Sequence, residues 1–92
     1  MQAEDFEWDE TKASENYAKH GVSFETARAV FKDAFAVEEL DDREEYGEER
    51  FTIVGMVADA LLFVAYTLRG TRIRLISAAT RHEQDDYYQQ NT

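Results

Sequence analysis

Arg69-Gly70-Thr71-Arg72 is the segment that most limits how this chain can fold. Apolar runs flank it, and a Gly-X pair between two such runs marks a two-residue hairpin loop. That loop pairs Arg69 with Arg72, Thr67 with Arg74, and Ala65 with Ile76. Cross-strand partners share a face. Arg69, Arg72 and Arg74 are therefore expected to project together beside Thr67, while Leu62, Val64, Tyr66, Leu68, Ile73 and Leu75 form the packed side. If the preceding loop centres on Ala58-Asp59, Arg50 pairs with Thr67 and joins the polar face; a half-step shift sends it to the other side. The expectation is four arginines on one sheet face, with no acid among their inferred partners.

The rest of the chain supplies a cover for the packed side. Phe6-Glu7-Trp8 alternates as a short edge strand. Asp9 then stands as an N-cap, Trp8 and Ala13 fall at the positions of a hydrophobic staple, and Lys19, His20 and Gly21 mark a C-terminus. A helix is expected from Glu10 to His20. Ser23 caps a second, whose Phe24, Ala27, Val30 and Phe31 return on one face. After Ala34 the texture turns to strands, expected at Phe35–Leu40, Arg50–Val57, Leu61–Arg69 and Arg72–Ser77. The polar stretch Thr80 to Tyr88 suits a last helix capped by Thr80, with a frayed tail over 89–92. Two helices on one face of an antiparallel sheet, with short strand before and helix after, make an α+β class.

Ninety-two residues fit one domain spanning 1–92. The chain has no cysteine, which excludes disulfides and thiolate chemistry. It also lacks a membrane-length apolar run and begins with acidic residues unlike a signal peptide, so a cytoplasmic setting with no membrane contact is expected. The net charge of −10 is unevenly spread: residues 1–50 hold sixteen acids against six Lys and Arg, whereas residues 51–92 hold four of each. Eight of those acids lie between Glu38 and Glu49, either as a solvated loop or as a docking edge for a basic partner. For an anionic ligand, the local field of one surface outweighs the global sum.

Four arginines on one face offer bidentate donors for phosphate; the plainer reading has them solvating the sheet and pairing with the acidic loop. His20 reads as a helix-terminal charge, or as a general base or RNA contact. Tyr66 falls on the packed side. His82 and Glu83 point apart on the expected helix, and Tyr87-Tyr88 offers rings for packing or base stacking. No phosphate-binding loop, dinucleotide fingerprint or metal-ligand cluster appears, so neither metal nor cofactor is expected.

Phe6-Glu7-Trp8-Asp9-Glu10-Thr11-Lys12-Ala13, Asn16 and Lys19-His20-Gly21-Val22-Ser23-Phe24-Glu25 together resemble the opening of BrnT-type toxins. The likeness continues through Ala27, Val30-Phe31, Asp33, Gly47-Glu48-Glu49-Arg50, Gly55-Met56, Tyr66-Thr67, Arg69-Gly70, Arg72-Ile73-Arg74 and Ile76-Ser77-Ala78, covering nearly the whole chain. It implies a RelE-like fold and an endoribonuclease toxin of a bacterial type II toxin–antitoxin pair. A small cognate antitoxin of BrnA type would neutralise it, in a 2:2 complex that meets DNA through the antitoxin. On that reading cleavage needs no metal. Arg50 and Arg74 hold the phosphate, Arg69, Arg72 and Thr67 hold RNA, and His20 transfers a proton. The chain also departs from the pattern. Ala79-Thr80 follows Ala78 without the arginine usual there, the last helix offers Gln84, Asp85 and Asp86 where relatives carry arginines, and Tyr66 replaces a frequent histidine. These departures favour an alternative, a non-catalytic module that acts by binding its antitoxin.

Overall fold

The computed structural model describes residues 5–41 and 47–80. Strand β1 (Phe6–Glu7) leads into helix α1 (Glu10–His20), the short helix α2 (Phe24–Ala27) and a 3₁₀ segment (Arg28–Lys32). Strands β2 (Val37–Asp41), β3 (Arg50–Val57), β4 (Ala60–Arg69) and β5 (Arg72–Thr80) follow. The sheet order is β1-β5-β4-β3-β2.

Local chemistry explains the helices. Asp9 accepts the Lys12 N–H at 3.0 Å, and Gly21 closes α1 at φ 71°, a left-handed cap that glycine takes without Cβ strain. Ser23 caps α2 through the Thr26 N–H. The second helix is not the continuous α-helix expected; it tightens into 3₁₀ geometry after Ala27. Phe24, Ala27 and Val30 are all buried, a spacing of three that matches three residues per turn.

The Ala58-Asp59 and Gly70-Thr71 loops centre as expected, with Val57 opposite Ala60 and Arg69 opposite Arg72. Four differences follow from longer-range packing. The sheet is mixed, because β1 lies parallel to β5. A bulge sets Ala65 opposite Ser77 rather than Ile76. β2 runs from Val37 to Asp41, one to two residues later than expected. Thr80 does not cap a helix but ends β5, opposite Leu62; the remaining residues of that expected helix lie outside the described residues.

Both helices and the 3₁₀ segment cover the face bearing Ile53, Leu62, Val64, Tyr66, Leu75 and Ala78, which forms the core with Phe6, Val22, Phe24, Ala27 and Val30. Burying such side chains contributes roughly 1.5–3 kcal/mol each. Aromatic rings run through it from Phe6 to Phe31 to Tyr66 to Phe51, with centroids 5.1–5.4 Å apart. Buried Asn16 ties α1 to the sheet. Its carboxamide accepts the Ala78 N–H at 3.1 Å and donates to the carbonyls of Ala78 and Val22, both at 3.0 Å.

Candidate functional site

The face opposite the helices gathers the arginines. Arg69 and Arg72 are in register beside the hairpin, and Arg74 lies opposite Thr67. The β3–β4 ladder, with Phe51 opposite Tyr66, brings Arg50 to the other side of Thr67. Parity alone thus assembles four guanidinium groups from three segments of sequence.

Carboxylates are built into the same surface, which overturns the expectation that none would be. Glu7 of β1 meets Arg74, its Oε2 accepting from Nη1 at 2.7 Å with both side chains about 30% exposed. Glu48 reaches two arginines, lying 4.0 Å from Arg50 Nε and 3.7 Å from Arg69 Nη2. Asp41 stands opposite Arg50 in the β2–β3 register. Arg72 is exposed and makes no ion pair among the described residues. The sequence signal for Glu7 was present in the alternation of Phe6 and Glu7. Its partner was not, because parallel pairing across 67 residues leaves no local mark.

Thr67 does not line the surface as an RNA contact would. It is 2% exposed, and its hydroxyl donates to the Glu49 carbonyl at 2.6 Å. That bond pins the chain entering β3 and so sets Glu48 between Arg50 and Arg69. His20 is not brought to the arginines either. It ends α1 on the covered side of the sheet, next to Gly21, which shares a cavity with Val57, Ala60, Leu62 and Thr80 at the β3–β4 turn. Arg69 lies seven residues along β4 from Leu62, about 23 Å at ~3.3 Å per residue. Tyr66 is likewise on the covered side, 5% exposed, stacked on Phe51. Burial pushes its phenol up to about 12, helped by the Glu38 carboxylate that accepts its hydrogen bond. A phenol so held stays protonated at neutral pH.

The geometry is a sheet face presenting four guanidinium groups, three of them held by the Glu7 and Glu48 carboxylates, an arrangement whose donors can serve a phosphate. No group of three His, Cys, Asp or Glu that could hold a metal occurs among the described residues, and no helix there is long and apolar enough to cross a membrane. Comparison with curated proteins returns no match. A family model, described as the ribonuclease toxin BrnT of type II toxin–antitoxin systems, matches residues 8–85. That span takes in both helices and every strand except β1, and on it the chain belongs to the BrnT family of ribonuclease toxins, whose members act beside a cognate antitoxin.

Proposed function

We propose that this chain cleaves RNA without a metal ion and that its antitoxin silences it. The observation that carries this is the convergence of Arg50 and Arg74 on either side of Thr67, with Arg69 and Arg72 one step nearer the hairpin. The RNA 2′-oxygen bonds to phosphorus as the bond to the 5′-oxygen breaks. The 2′ proton passes to a base and the leaving oxygen gains one. Negative charge grows on the phosphorane, where fixed guanidinium groups stabilise it, and alignment of the 2′-oxygen supplies much of the rest. Arg50 and Arg74 take the phosphate, while Arg69 and Arg72 hold the flanking backbone. Thr67 acts as a positioning residue through Glu49. His20 ends α1 on the covered side of the sheet, toward the β3–β4 turn, so proton transfer is assigned here to other groups or to solvent.

The antitoxin would form a 2:2 complex, and DNA would be met through the antitoxin. A second reading, binding without cleavage, is favoured by the Glu7 carboxylate already seated on Arg74. The test is cleavage of one RNA by the purified chain freed of antitoxin, with and without chelator. Cleavage should persist in chelator and fall by about 10²–10³ in Arg74→Ala at little change in melting temperature. No cleavage by the wild type would establish the binding-only reading.

A further inference from the structure

The two edges of the sheet are finished differently. On the outer side of β5, β1 pairs with Ile73 and Arg74, and the Asn16 carboxamide bonds both the N–H and the C=O of Ala78 as a neighbouring strand would. Among the described residues β2 is the terminal strand on the other side and pairs with β3 alone. Four of its five residues are exposed. Phe35, just before it, is 89% exposed, Val37 57% and Leu40 53%, three of the six large apolar side chains left in water among the described residues.

Protein sheet edges are usually blunted by charged side chains, proline or a bulge. β2 has neither proline nor bulge, and its only defence is charge of one sign, Glu38, Glu39 and Asp41, which repels an acidic or identical strand and not a basic one. An edge with pairing capacity and exposed apolar side chains is a template for an added strand. Charge decides which strand. A second copy pairing antiparallel and in full overlap would set Glu39 directly opposite its own counterpart and Glu38 opposite Leu40, and like charges directly opposite are destabilising. A segment alternating Lys or Arg with apolar residues meets Glu39 on one face and Leu40 on the other.

We propose that β2 is the docking edge for the antitoxin, which adds an extended basic segment as a sixth strand. The inference rests on the neutralisation reading and deepens it. β2 adjoins β3, so whatever flanks the added strand lies at the border of the arginine face beside Arg50.

The test is residue-resolved amide hydrogen exchange of the full chain, free and bound to its cognate antitoxin, with Glu39→Lys as the variant. The outward amides of β2 should exchange rapidly in the free chain and at least about tenfold more slowly in the complex. Glu39→Lys should weaken binding about tenfold at low salt, with a smaller difference at high salt and an unchanged melting temperature. Slow exchange at those amides in the free chain, or a complex that protects the arginine face and leaves β2 exchanging, would overturn the edge proposal and leave neutralisation standing. An antitoxin that fails to bind the wild-type chain at all would overturn both.

Discussion

Glu7 is the residue on which the arginine face turns. Its carboxylate holds Arg74 in place, yet it occupies the donor that a phosphate would take. Glu7→Gln removes the competing charge while keeping a hydrogen-bonding side chain, and should tighten RNA binding several-fold in a filter or fluorescence titration. Weaker binding would mean that orientation of Arg74 matters more than its release. Asp33 does structural work on the other side of the molecule. Its carboxylate accepts N–H bonds from Met56 at 2.8 Å and Phe35 at 3.0 Å, and these two bonds hold its pKa below the ordinary 3.8. A folded-state value below the unfolded one stabilises fully above 3.8 and is lost as pH falls through the lowered value. Asp33→Asn should therefore melt lower than wild type at neutral pH, and melting curves of the two should converge below pH 3.8.

Elements meet most tightly where the 3₁₀ segment crosses β3. A Cβ on Gly55 would lie 2.9 Å from Val30, 3.0 Å from Ala36 and 3.1 Å from Asp33. Gly55→Ala should thus cost about 1–3 kcal/mol in denaturant melts, as overpacking does. Ala58 shows the reverse: it takes a positive φ of 53° in the β3–β4 turn, where a side chain is strained. Ala58→Gly should stabilise by about 0.5–1 kcal/mol in the same melts. Turns and periods of this kind are what local sequence can carry. Gly70 and the alternation around it were enough to place Arg69, Arg72 and Arg74, and a turn at Ala58-Asp59 was enough to place Arg50. The Ile76 bulge was not legible, because an inserted residue obeys the same apolar pattern as a regular strand. Nor were the parallel β1 and the bonds of Asn16, which depend on partners more than 60 positions away. For the site, parity found the arginines and missed Glu7; Glu48 belongs to the acidic stretch that the plainer reading paired with them, and the place of His20 relative to the arginines was not derivable from parity.

Over the whole molecule, acidity and an arginine surface coexist because they are segregated. A net charge of −10 repels a polyanion at long range, while on the proposed reading the arginine face attracts RNA at contact. Added salt acts on both, and releasing counterions at each phosphate contact dominates binding. Arg72 is exposed and without an ion pair among the described residues, so Arg72→Ala should flatten the salt dependence of RNA binding by about one contact. An unchanged slope would exclude Arg72 from the phosphate contacts.

The covering of the sheet on one side alone bears on how such a chain changes over generations. Nearly every side chain that holds the fold points toward the helices, whereas Arg50, Arg69, Arg72 and Arg74 point away from them. Arg50 and Arg74 are half-buried in ion pairs and Thr67 is 2% exposed, so among the described residues the exposed Arg69 and Arg72 are the arginines of that face where substitution costs least, commonly about 0.5 kcal/mol. On the proposed reading, changes at Arg69 and Arg72 alter or extinguish the grip on RNA while the core under the helices stays the same. A lineage of such chains would then gain or lose its RNA contact by surface changes alone, without passing through an unfolded intermediate.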